Sequence, residues 1–388
     1  MTAPLVDTEV INAVTAWRRD IHAHPEMAFC ENRTAALVAE QLASFGMTVS
    51  TGIATTGVVG ELHFGEGPTI ALRADMDALP INEANSVDYK STHDDCMHAC
   101  GHDGHTAMLL GAAKLLSKRT DLVGKLLFIF QPAEENEGGA REMIAQGALD
   151  RFPFDSIYAL HNMPGLPVGE FRVRAGPLLA SFDKFDINIT GKGGHGAMPD
   201  QCKDPILAAS GLATELNTIV SRDVDPGSAA VVTVGQFLAE GTYNVIPDVA
   251  TLKGSCRAIE PEARANIEQR IKRICEGVAT SFDVAVECNF QRGYPALKNS
   301  LVESDRVGNA LDRVVGAENV GRTFDPLMGS EDFAFFLQKK PGCYFLIGNG
   351  DHGGPLHSST YDFCDAATPY GIAAWVSIAE EFLGKGAE

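Results

Sequence analysis

The sequence predicts an α/β protein interrupted by a small inserted domain, and three observations support this. Over the first 180 residues short apolar runs alternate with helical patterns, the texture of a sheet covered by helices. From about Phe182 the order becomes β-α-β-β-α-β, a ferredoxin-like split unit of roughly a hundred residues. Near residue 294 the first texture returns, so residues 1–180 and 294–388 are expected to form one discontinuous domain around an insert at 181–293. A length of 388 residues fits two cores better than one.

The elements follow in order. Val10, Val14, Trp17 and Ile21 fall at helical spacing, and Leu37, Leu42 and Phe45 lead to Gly46 as a C-terminal stop. Thr69–Leu72, Lys125–Phe130 and Ser156–Leu160 have the apolar density of buried strands. Helical patterns run from Met108 to Leu116 and from Ala140 to Ala145. In the insert, strands are expected at Phe185–Ile189, Ala229–Phe237, Val249–Ala258 and Asp283–Phe290. Helices are expected from Pro205 to about Val220 and from Pro261 through Val278. Beyond it, helices near 301–315 and 330–338, a strand at Cys343–Ile347 and a helix from about Ala366 complete the pattern.

Composition narrows the function. With 31 basic against 51 acidic residues and a formal charge of −20, the chain repels phosphate backbones and anionic membranes. Neither nucleic acid nor membrane is an expected partner. Nine cysteines at scattered positions suit reduced thiols, the first residues show no secretory signal, and no window approaches the ~18 apolar residues of a spanning helix. A soluble cytoplasmic protein is the expectation.

The densest chemical signal is Met97-His98-Ala99-Cys100-Gly101-His102-Asp103-Gly104-His105, with a thiol, three imidazoles and a carboxylate in nine residues. A structural zinc site would need a second Cys or His pair close by, and none follows. Further ligands must therefore come from far along the chain, as in a catalytic metal site. The three apolar runs supply candidates: Arg73-Ala74-Asp75-Met76-Asp77, Gln131-Pro132-Ala133-Glu134-Glu135 and His161-Asn162 stand where they end. In open α/β sheets the ligand crevice lies outside these carboxyl ends.

Glu134 and Glu135 point in different directions, so one can bind metal while the other faces substrate. Taken singly, His161 and His357 fit a structural histidine better than a metal ligand. His98, Asp103 and His105 suit partners that orient ligands. The insert adds His195 in the glycine-rich turn 191–199, with Asn244 and Arg257 as groups able to hold a substrate carboxylate. A plain flexible turn and ordinary strand-end residues are the competing readings.

Taken together, the segments 97–103, 131–135, 160–162, 193–195 and 356–358, with Arg73–Pro80 and Met328-Gly329-Ser330-Glu331-Asp332-Phe333, resemble the M20 family of metallopeptidases along essentially the whole chain. Within that family the likeness is to the amidohydrolase branch, which includes hippurate hydrolases and indoleacetyl-amino-acid hydrolases. The resemblance implies a catalytic domain with a mixed sheet between helices and a lid or dimerisation insert. It also implies a dinuclear site held by Cys100, His102, Glu135, His161 and His357, with Cys100 bridging. Glu134 would be the general base, His195 an oxyanion donor, and Asn244, Arg257 and Gly329 substrate contacts. The implied reaction is hydrolysis of an N-acyl-L-amino acid by two divalent ions, zinc by softness of the donors, with manganese, cobalt or nickel as alternatives. A homodimer through 181–293 is implied as well. A carboxypeptidase or dipeptidase and a catalytically silent metal-binding protein are the rival readings.

Overall fold

The computed structural model describes residues 6–384; Met1–Leu5, part of the stretch searched for a secretory signal, lies outside them. Two compact units emerge. One comprises the chain up to Gly176, Lys298–Phe324 and the residues from Asp332 on; the other comprises Pro177–Leu297 and Asp325–Glu331.

The first unit is built on an eight-stranded sheet ordered Thr48–Ile53, Gly57–His63, Lys125–Gln131, Thr69–Asp75, Ser156–Pro164, Gly342–Gly350, Phe171–Val173, Val320–Gly321. Its four central strands, from Lys125–Gln131 to Gly342–Gly350, are mutually parallel, while the neighbours on each side run antiparallel to them. Parallel strands expose their carboxyl ends along one edge, which is where Asp75, Glu134 and His161 stand. Burial on both faces explains why these runs lack alternation. Leu72, Phe128, Phe130, Tyr158 and Phe345 belong to one core with helix His102–Leu116 and with Ile372, Trp375 and Ile378 of helix Thr368–Leu383. The first helix, Thr8–Ala23, starts where the Asp7 carboxylate accepts the Glu9 N–H, and it buries Val10, Val14 and Ile21.

The second unit has four antiparallel strands ordered Ala230–Ala239, Val249–Ala258, Phe182–Thr190, Ala285–Tyr294. Phe185, Ile187 and Ile189 point inward, as their alternation requires. Ala263, Ile267, Ile271, Ile274 and Val278 line the buried stripe of helix Pro261–Phe282.

Some elements differ from expectation. The helix placed at 205–220 is two, Pro205–Leu216 and Ile219–Asp223. The one near 330–338 shrinks to a single turn, Ala334–Leu337, because Asp332 and Phe333 are drawn into contacts with Gln131 and Tyr344. Strands Thr48–Ile53 and Gly57–His63 had no strand signal, since Gly52, Gly57 and Gly60 interrupt their pattern. Gly57 is required there: a Cβ would run into the Ile53 carbonyl oxygen.

Candidate active site

The site is assembled from turns at the carboxyl ends of the parallel strands. Cys100 precedes helix His102–Leu116, Glu134 and Glu135 follow strand Lys125–Gln131, His161 lies in Ser156–Pro164, and His357 sits in the loop after Gly342–Gly350. Ligand-type atoms of Cys100, His102 and His161 fall within 4.8 Å of one another, as do those of Cys100, Glu135 and His357. Those of His102, Glu134 and Glu135 form a third such set. Cys100 therefore sits in two sets and joins them. Its Sγ is 3.3 Å from His161 Nε2, and His357 Nε2 is 3.1 Å from a Glu135 oxygen.

Local backbone geometry holds these groups. Gly101 adopts φ +86°, and a Cβ there would collide with the Asn162 amide and the Tyr361 hydroxyl. Those two side chains are bonded to each other at 2.9 Å, and Asn162 also donates to the Cys100 carbonyl at 2.6 Å. His357 has φ +63°, and its N–H donates to the Ala99 carbonyl at 2.8 Å, tying one ligand loop to the other.

Electrostatics are dominated by acid groups. Asp77 faces His102 Nδ1 through its carbonyl at 2.9 Å and its carboxylate at 3.2 Å, and its second oxygen accepts the Glu135 N–H at 2.9 Å. His102 Nε2 is buried without a hydrogen-bond partner among the described residues, 3.9 Å from Asp75. Burial opposes a proton on His102, yet Asp75 and Asp77 overcome it and lift the imidazole to about 10. Burial, then the charges of Glu135 and Glu134, push the Cys100 thiol well above its usual range. Burial holds His161 well below the usual histidine range. Glu134 is 6% exposed, and one of its oxygens accepts the Asp332 N–H at 3.3 Å.

The supporting residues separate on inspection. His105 bonds Asp75 at 2.7 Å and accepts the Asn162 N–H at 2.9 Å, so it fixes the backbone beside His161. Asp103 faces away, toward His22 and Arg18. His98 is a correction: it is buried, but neither ring nitrogen has a hydrogen-bond partner among the described residues, so no bond from it orients a ligand. Asp77 stood in the run at the first strand end without an assigned role. Asn162 stood at the third strand end without an assigned role, and Tyr361 and Glu31 carried no local signal.

In the second unit His195 and Asn244 come together, on strands Gly194–His195 and Val245–Ile246 and their turn, where the Gly196 N–H donates to the Asn244 carbonyl at 2.8 Å. Asp248, just before strand Val249–Ala258, accepts the Gly193 N–H at 2.8 Å and fixes this pair at that strand's start. Arg257 lies at the strand's other end, on the order of 25 Å away at ~3.3 Å per residue. There it donates to the Met328 carbonyl at 2.8 Å and stacks over Phe182, next to Gly329, whose carbonyl accepts the Ala180 N–H.

Fold and cluster together define a class: an α/β scaffold whose strand-end turns gather soft and acidic metal donors, carrying an inserted split β-α-β unit. The model of peptidase family M20/M25/M40 matches residues 71–381, and the chain belongs to that family. Hippurate hydrolase of Campylobacter jejuni is 42% identical over 367 residues, 94% of this chain and 95% of that protein. N-acetyl-L-cysteine deacetylase of Bacillus subtilis is 40% identical over 340 residues, covering 86% and 80%. Among solved structures, the YXEP protein of Bacillus subtilis, a dinuclear metal binding peptidase from the M20 family, has a TM-score of 0.84 at 33% identity over 97% of this chain and 99% of its own. The chain is accordingly a divalent-metal hydrolase acting on carbon–nitrogen bonds.

Proposed function

We propose that the protein hydrolyses the amide bond of N-acyl-L-amino acids, hippurate among them, with Glu134 as general base. The observation that carries this is the Glu134 carboxylate, shielded from solvent and sharing one space with His102 and Glu135. Cys100, His102, Glu135, His161 and His357 would hold two divalent ions, zinc by donor softness, with Cys100 common to both. The donors fit such a group: His102 Nε2 is an orphaned buried atom, and the acids that favour a proton on it favour a cation equally. When bound, the ions supply Lewis acidity toward the amide carbonyl and the attacking water.

Glu134 removes a proton from the attacking water and returns it to the nitrogen of the leaving amino acid. His195 donates to the oxyanion, a contribution typically worth ~10²–10³ in rate. Arg257 and Gly329 engage the substrate at one end of the insert, and Asn244 engages it beside His195. One substrate molecule cannot touch both His195 and Arg257 of a single chain across about 25 Å. Both roles therefore call for two copies, with His195 and Asn244 offered together to the partner's site.

A homodimer through 181–293 is further supported by exposed Val231, Phe237 and Leu238 on strand Ala230–Ala239, which ends its sheet. Nine cysteines without a disulfide support a reducing, cytoplasmic setting.

The test is Glu134→Gln assayed on hippurate, N-acetyl-amino acids, indoleacetyl-amino acids and dipeptides. The expected result is loss of turnover at full metal content. A competent variant would overturn the base assignment, and a dipeptide-only profile in the unmodified enzyme would move the reading to a dipeptidase.

A further inference from the structure

The turn that presents Glu134 is held in place by a residue a hundred positions earlier. Ala133 has φ +54°, in the left-handed region that residues with a Cβ disfavour, and it is fully buried. Both of its backbone groups are engaged: its carbonyl accepts the Gly139 N–H at 2.9 Å, and its N–H donates to Glu31 Oε1 at 2.8 Å. Glu31 is itself fully buried, and its Oε2 accepts the Thr56 hydroxyl at 2.5 Å. Gly139 packs directly against this turn, where a Cβ would run into the Pro132 carbonyl.

The segment carrying Glu31 is anchored at its other end as well. Glu26 accepts the Arg33 and Thr34 N–H groups, each at 2.9 Å, closing residues 26–34 into a rigid loop at the start of helix Asn32–Ser44. The Glu26 carbonyl accepts the Ala78 N–H at 2.8 Å, one residue beyond Asp77. One short segment thus touches the chain beside His102's partner and beside the Glu134 turn.

We propose that Glu31 is a positioning residue for the reaction: by gripping the Ala133 N–H it fixes the strained turn and so the direction in which Glu134 meets the attacking water. This rests on Glu134 acting as the base. Glu31 touches no substrate, and its effect passes through one backbone bond to the residue that precedes Glu134. Small misplacement of a catalytic group is costly in rate and leaves substrate binding largely intact, which separates this role from a binding one.

Glu31→Ala and Glu31→Gln should be compared in the metal-loaded enzyme on hippurate, with Glu134→Gln alongside and metal content measured for each. Glu31→Ala is expected to lower kcat roughly tenfold or more at unchanged KM and unchanged metal content. Glu31→Gln is expected to retain kcat within about threefold, since its amide oxygen still accepts from Ala133 and its NH₂ can donate to Thr56. Wild-type kcat in Glu31→Ala beside an inactive Glu134→Gln overturns the Glu31 role alone, and equal losses in both Glu31 variants overturn it in favour of a charge effect. An active Glu134→Gln overturns the base assignment and this inference with it. If Glu31→Ala does not fold, Thr56→Val removes only the second anchor of the carboxylate; a lowered kcat at constant KM supports the role, and an unchanged kcat overturns it.

Discussion

His22 makes the stability of the first unit depend on pH in a calculable way. The ring is fully buried, with Nδ1 2.9 Å from Asp103 and Nε2 3.3 Å from Glu83. Burial opposes its charge, but bonds to Asp103 and Glu83 lift it from 6.5 to about 9. A folded pKa above the unfolded one means that the native state binds the extra proton. The stabilisation is therefore complete below pH 6.5 and is lost as pH rises through 9. The difference between 6.5 and about 9, at about 1.4 kcal/mol per tenfold, amounts to roughly 3 kcal/mol. Both tryptophans, Trp17 and Trp375, lie in the same unit as His22, so intrinsic fluorescence in urea reports on that unit. Unfolding at saturating metal at pH 6 and pH 9.5 should show the gap between wild type and His22→Gln closing by roughly that amount. A gap that stays constant across this range would refute a charged His22 between two carboxylates.

Three further outcomes are expected. Gly101→Ala must place a Cβ at φ +86° against buried Asn162 and Tyr361; a loss of about 3 kcal/mol in a thermal or urea series is expected, with weakened metal retention. Cys100→Ala removes the donor common to both ligand sets, and elemental analysis after gel filtration should show both ions depleted, not one. Leu238→Asp, on an exposed strand at a sheet edge, should give monomers in sedimentation equilibrium and lose hippurate turnover if His195 acts across subunits.

Much of the site was legible because ligand-bearing residues directly follow apolar runs, and a parallel sheet turns that adjacency into convergence. Glu135, His161 and His357 are far from Cys100 and His102 in the chain yet share an edge with them for this reason. The insert was legible from period-two strands and the stripe of helix Pro261–Phe282. What escaped depends on tertiary contact. Glu31 and Tyr361 act through bonds to residues many positions away, and nothing local distinguishes them from other polar residues. Arg257 and His195 belong to the same small domain, but only strand register shows that they occupy opposite ends of it.

Strand Gly342–Gly350 has a consequence for biosynthesis. It pairs with Ser156–Pro164 on one side and Phe171–Val173 on the other, matching Ile157 to Gly342 across 185 positions (342 minus 157). Until it leaves the ribosome, the nascent sheet is cut through its middle, and Ile157, Tyr158 and Leu160 line an open apolar edge. The inserted unit, by contrast, has all four strands between Phe182 and Tyr294 and can pair them much earlier. The strand that seals the sheet also leads into the loop carrying His357, so closure of the core and delivery of that donor come late in synthesis, one directly after the other.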